Sequence, residues 1–264
     1  MGRWDDGGIE FHIGDAENSA MASVLVTGSS GRIGRAVVAE LLRRGHAVRG
    51  FDRAPGPGHL DFVQGTLTDR DAVDGAMRGI ECLVHLAATP DDADFLTELL
   101  PNNLLGVYHV LESARLAGVR RMILASSGQV NWWQEQRGEF PVRPNDPPTP
   151  RSWYAATKMF LEGIGRSFSE AHGVSVIVAR PGWCPRTEEQ RQEIAAAQWA
   201  QDIYMSPGDA GRFFACAVEA PESVRFAVVI AAGRPRYREP LDMTSARELL
   251  GYEPREAWPE GLDG

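Results

Sequence analysis

From Ser23 onward, short runs of β-branched and other apolar residues alternate with longer stretches whose apolar positions recur every three or four residues. That alternation predicts βαβ units and a parallel sheet. The first unit is the sharpest: residues 24–26 form a buried strand, Gly28 to Gly31 a turn, and residues 32–44 a helix ending at Gly45. Ile33, Val37, Val38, Leu41 and Leu42 lie on the inner face of that helix. Further strands are predicted at 47–51, 62–64, 82–86, 122–125, 174–179 and 226–231, with helices at 71–78, 102–117 and 152–172. The span 131–151 holds five prolines, so it is expected to be irregular, a lid or binding wall. Residues 186–201 read as one exposed helix.

Composition narrows the class. The 264 residues carry a net charge of −9, which disfavours nucleic acid as a partner because its phosphate backbone is repelled. Three widely spaced cysteines, Cys82, Cys184 and Cys216, form no metal-binding or redox pair, so no metal and a cytoplasmic setting are expected. No apolar run reaches the roughly 20 residues that span a bilayer, so no membrane partner is expected. Residues 1–21 lack periodicity and are expected to be a disordered extension, leaving 22–264 as a single domain.

Four features carry the chemistry. Gly28, Ser30, Gly31, Arg32, Ile33 and Gly34 lie where the first strand becomes the first helix, a place where glycines let the backbone approach a pyrophosphate held by free amides. Asp52 ends the second strand, eighteen positions past Gly34, where a carboxylate accepts hydrogen bonds from the adenosine ribose hydroxyls. This points to NAD in preference to NADP, and the adjacent Arg53 weakens the preference because a guanidinium welcomes a 2′-phosphate. Tyr154 and Lys158 are spaced i and i+4, hence on one helix face. Bringing a phenol from its usual pKa of about 10 to neutrality takes roughly 4 kcal/mol, which Lys158 and a nicotinamide cation are suited to supply. Ser127 follows the fifth predicted strand, at the sheet edge where open α/β proteins bind ligands, and is placed to donate to a substrate oxygen.

Together these residues resemble the short-chain dehydrogenase/reductase superfamily, and more closely its extended, nucleotide-sugar-epimerase-like branch. The resemblance covers residues 24–182. It implies a Rossmann-type, doubly wound parallel α/β sheet with a small C-terminal substrate-binding part, formed mainly by 131–151 and 182–264. It assigns catalysis to Ser127, Tyr154 and Lys158 and a supporting role to Asn103. Leu86, Ala87, Ala88, Ala125, Pro181, Gly182 and Trp183 join the glycine turn, and Thr66 and Leu67 meet the adenine. Thr66 stands where the family usually has Asp. The resemblance also implies a homodimer paired through residues 102–117 and 152–172.

The 106 residues after Lys158 are few for an enzyme of nucleotide sugars, and the tail from Asp242 to Pro254 is similar to that of uronate dehydrogenases, which oxidise C1 of a free hexuronic acid. The pocket departs from that subgroup. Gly128 replaces a substrate-binding Asn, and Trp183 replaces a small polar residue. The expected substrate residues are Thr89, Ser127, Gly128, Gln129, Trp132 and Trp183, with Arg186 and Arg191 as candidates for a carboxylate. The alternatives are a sugar-nucleotide epimerase or dehydratase, an NADPH carbonyl reductase, and a non-catalytic dinucleotide-binding regulator.

Overall fold

The structure, a computed structural model, describes residues 21–262. All but Met21 of the expected N-terminal extension lies outside them. Seven strands form one all-parallel sheet: β1 (Ser23–Thr27), β2 (Ala47–Asp52), β3 (Asp61–Gln64), β4 (Cys82–His85), β5 (Arg121–Ala125), β6 (Ser175–Pro181) and β7 (Phe226–Ala231). Their order is β3-β2-β1-β4-β5-β6-β7. The direction of winding reverses between β1 and β4, so a crevice opens at their carboxyl ends.

Alternate residues of each strand feed two cores, as a parallel sheet covered on both faces requires. Val24, Val26, Ile177 and Ala179 pack on one side with α1 (Arg32–Arg43). Leu25, Leu83, Leu124, Val176 and Val178 pack on the other with α2 (Arg70–Met77), α3 (Gly106–Ala117) and α5 (Trp153–His172).

Several boundaries differ from the predicted ones. The helix expected from residue 102 begins at Phe95, and its first stretch, Phe95–Leu105, has wide π-type turns around Pro101. Proline has no N–H to continue an ordinary ladder, and the Gly106 N–H instead reaches back to the Pro101 carbonyl. The proline-rich span is not wholly irregular, because a 3₁₀ turn (Gly128–Asn131) leads into α4 (Trp132–Gln136) before the prolines begin. The single helix expected over 186–201 is two, α6 (Glu188–Ala196) and α7 (Gln198–Asp202), separated by the extended backbone of Ala197.

Two helices were not anticipated: α8 (Pro207–Val218), which shares a core with α1, and α9 (Thr244–Leu250). The start of α8 is nevertheless written in the chain. Ser206 caps it by accepting from the Asp209 N–H at 2.9 Å, and Pro207 occupies the first turn.

Candidate active site

A cavity of about 1290 Å³ runs along the carboxyl edge of the sheet. One end is built largely from backbone. Gly28 leaves β1 with φ +74°, and a Cβ there would sit 2.8 Å from the Ala87 nitrogen. A Cβ on Gly34 would lie 2.0 Å from the Gly28 carbonyl oxygen. Only glycine permits this approach, and it leaves the first turn of α1 open to a ligand. Arg32 lines the same end, and its buried Nε has no acceptor among the described residues. Amides at a helix N-terminus beside an unmatched guanidinium donor fit a pyrophosphate, so the residues present suit a dinucleotide.

Beneath the turn, Thr27 and His85 face each other across β1 and β4 with Oγ1 and Nδ1 2.8 Å apart. Burial, helped by repulsion from Lys158, lowers His85 to about 3, so the ring is neutral. Asp52 closes the far side. Its carboxylate accepts from the Ser30 and Ala54 N–H groups, both at 3.0 Å, which ties the end of β2 to the glycine turn. Ser30, Gly31, Ile33, Arg53, Thr66 and Leu67 line this end, with the Thr66 and Thr68 hydroxyls bonded at 2.9 Å.

The central part holds Ser127, Tyr154 and Lys158. Ser152 caps α5 by accepting from Ala155 N–H, which sets Tyr154 and Lys158 on the first turns facing β5. Tyr154 is 8 % exposed and shares the cavity wall with Ser127. Burial pushes the phenol up to about 12, with the Ser127 hydroxyl opposing. Lys158, 6 % exposed, donates to the Ala125 carbonyl at 2.8 Å, and its Nζ lies 5.6 Å from the centroid of the Tyr154 ring. Burial lowers this ammonium to about 8, with Glu162 opposing.

Asn103 does not line the cavity. It acts from behind: Oδ1 accepts from Thr89 N–H at 2.8 Å, while Nδ2 donates to the Thr89 carbonyl at 3.0 Å and to Thr157 Oγ1 at 3.2 Å. It thereby pins the segment after β4 to α5. The Thr89 hydroxyl is taken by Asn102 and Glu98. Leu86, Ala87, Ala88, Thr89, Pro181 and Gly182 line the walls.

The other end is built from side chains. Trp183 stacks on Trp199 with centroids 6.1 Å apart, and Trp132 meets Trp199 edge-on at 6.2 Å. The Arg151 guanidinium lies 4.5 Å from the centroid of Trp132. Arg186 pairs with Asp91, which also accepts from Gln129 Nε2 at 3.1 Å. Asp91 holds φ +57°, a left-handed backbone uncommon for a residue with a side chain and often found at sites. Gly128 and Gln129 complete the lining near Ser127. Arg191 departs from expectation. It points away from the cavity, towards Glu188 and the Leu262 carbonyl.

A buried ion pair supports this end. Arg180, 4 % exposed, binds Glu162 through two nitrogens at 2.8 and 2.7 Å and donates to Asn131 Oδ1 at 2.9 Å and to the Pro144 carbonyl. Glu162 also accepts from Ser126 Oγ at 2.6 Å. The proline-rich span is therefore moored to β6 and α5 through one guanidinium.

Sequence reading missed Asp91, Asp92, Glu135, Glu193 and Trp199, all of which line the cavity. Asp91 and Asp92 were findable, because they follow β4 at the ligand-binding edge of the sheet. Glu135, Glu193 and Trp199 lie on short helices and gave no local signal. Among the described residues there is no metal-binding cluster, and no helix is long and apolar enough to cross a membrane.

Known proteins agree with this geometry. An L-arabinose 1-dehydrogenase (NAD(P)(+)) of Haloferax volcanii is 32 % identical over 252 residues, 89 % of this chain and 97 % of that protein. A uronate dehydrogenase of Pseudomonas syringae pv. tomato is 30 % identical over 163 residues, 60 % of this chain and 58 % of its own length. A solved structure of a mutated uronate dehydrogenase superposes with a TM-score of 0.75 at 25 % identity, covering 92 % of this chain and 86 % of the other. Residues 24–198 match the family described as NAD dependent epimerase/dehydratase. With a glycine cradle, a Ser-Tyr-Lys set and these relatives in agreement, the chain belongs to the NAD dependent epimerase/dehydratase family.

Proposed function

We propose that this chain is an NAD-dependent dehydrogenase that oxidises the C1 hydroxyl of a small sugar or sugar acid. The observation that carries the reading is that Ser127, Tyr154 and Lys158 line the same cavity that the glycine turn opens into. The arabinose 1-dehydrogenase and the uronate dehydrogenase both support a small, polar carbohydrate. Asp52 favours NAD, because a second carboxylate-facing charge, the 2′-phosphate of NADP, is repelled there.

NAD, when bound, supplies the acceptor for the hydride that leaves C1. The protein's part is proton chemistry and positioning. Tyr154 takes the proton of the hydroxyl being oxidised, and Ser127 donates to the same oxygen and holds it against the phenol. The nearby Lys158 ammonium favours the phenolate over the phenol and offsets the burial that otherwise keeps the proton on. Asn103 acts only through the backbone it clamps. A Tyr154→Phe variant is expected to lose about 10³-fold in turnover while NAD affinity changes less than about 3-fold. Formation of reduced nucleotide and a fluorescence titration measure the two, and a variant that still turns over sugar at the parent rate sinks the assignment.

Exposed apolar side chains support a homodimer paired through α3 and α5. Tyr108 and Leu116 of α3, and Trp153 and Phe160 of α5, are exposed in the single chain, as the apolar side chains of a pairing surface would be. Light scattering is expected to report a dimer, and Phe160→Glu a monomer. Cys82, Cys184 and Cys216 are all free, which supports a cytoplasmic setting.

A further inference from the structure

The substrate end of the cavity is lined by four carboxylates, Asp91, Asp92, Glu135 and Glu193, against three guanidinium groups, those of Arg151, Arg180 and Arg186. Two of the three are already paired with acids, Arg186 with Asp91 and Arg180 with Glu162, and Arg151 lies over the face of Trp132. Among the described residues, Glu135 differs from the other acids of the wall in being both unpartnered and half-buried, whereas Glu193, also without a partner, is exposed. Glu135 projects from α4, one turn beyond Trp132, and among the described residues its side chain has neither a hydrogen-bond donor nor a cation. Burial with nothing to oppose it pushes this carboxyl up to about 7.

A carboxylate that has given up much of its hydration recovers the loss by accepting hydrogen bonds from whatever enters the cavity. Sugar hydroxyls are donors of that kind, and the tryptophan walls offer flat faces to the C–H side of a sugar ring. A second carboxylate is the opposite case. It brings no donor, repels Glu135 in its ionised form, and finds Arg180 and Arg186 already paired with acids.

We propose that Glu135 is a specificity-determining residue of the sugar site, accepting hydrogen bonds from substrate hydroxyls and rejecting a substrate carboxylate, so that neutral aldoses are favoured over the matching uronates. This rests on the sugar-dehydrogenase reading above and narrows it to one class of substrate.

The test compares D-galactose with D-galacturonate, and D-glucose with D-glucuronate, pairs that differ only in having CH₂OH or a carboxylate at C5. Two quantities are read in the parent protein, in Glu135→Gln and in Glu135→Ala. One is kcat/KM with NAD, and the other is the quench of tryptophan fluorescence when each sugar is titrated into the protein alone. The parent is expected to prefer the aldose of each pair. Both variants are expected to shift the aldose-to-uronate ratio at least ~10-fold towards the uronate, in kcat/KM and in the titrations alike, the size expected of one charge-assisted contact. NAD affinity is expected to stay within about 2-fold, which also shows that the variants fold. A parent that prefers uronates, or ratios unmoved by both substitutions, overturns the proposal while leaving the dehydrogenase reading intact. A parent that binds NAD yet turns over none of the four sugars overturns the reading and the proposal together.

Discussion

The two ends of the cavity are made by different means. At the cofactor end the surface is mainly backbone: a left-handed Gly28, a Gly34 with no room for a side chain, and main-chain amides that hold Asp52 in place. At the substrate end the surface is side chains brought from separate segments, with Asp91 following β4, Glu135 on α4, Arg186 after β6 and Trp199 on α7. The backbone end suits a pyrophosphate, whose charge the main-chain amides can meet. The side-chain end is free to change with the substrate. Such a division makes the first end sensitive to the addition of a single methyl group and the second to changes of charge.

Four substitutions sharpen this contrast, beginning with the largest effect. Arg180→Met leaves Glu162 buried without its partner and unmoors the proline-rich span, at an expected cost of about 3–5 kcal/mol in urea unfolding. An unchanged midpoint would show that the span is held by other contacts. Gly28→Ala forces a left-handed conformation on a residue with a side chain and drives its Cβ into Ala87. About 100-fold weaker NAD binding is expected by titration, with the fold retained. Ala at the exposed Thr66 tests the converse, since only its hydroxyl is lost, and a change below about 3-fold is expected.

The last effect concerns pH, and its size falls between those of Gly28→Ala and Thr66→Ala. Burial raises the Glu135 carboxyl from 4.5 to about 7 in the folded chain, so the native state binds this proton more tightly than the unfolded one. The stability it contributes is present below the unfolded value and is lost as pH rises through about 7. Relative to Glu135→Gln, the parent is therefore expected to lose about 2 kcal/mol between pH 5 and pH 8, as thermal or urea unfolding at the two pH values would measure. Parallel curves for the two proteins would mean that the carboxylate is solvated after all.

The comparison also explains what was legible in the chain. The glycine turn, Asp52 and the Tyr154–Lys158 spacing were readable because each is a local pattern: a strand-to-helix junction, a strand end, one helical turn. The strands and the helices beside them followed from apolar periodicity. What escaped was non-local. The break at Ala197 and the inward face of Trp199 depend on packing against Trp183, and the direction of Arg191 depends on the C-terminal segment at Leu262. The helix α8 carried its cap at Ser206, yet its role beside α1 is decided by the shared core.

By itself, the order of residues determined a parallel α/β sheet, the glycine turn where the first strand meets the first helix, and the spacing that sets Tyr154 and Lys158 on one helix face. Those features depend on backbone conformation and on spacing within one or two elements, which short-range sterics and hydrogen bonding settle. Only the tertiary structure decided which acids and aromatics share the substrate wall, that Arg186 is spent on Asp91, and that Glu135 is left without a partner. The reason is that charge pairing and desolvation are sums over neighbours from distant parts of the chain, and no window of sequence contains them.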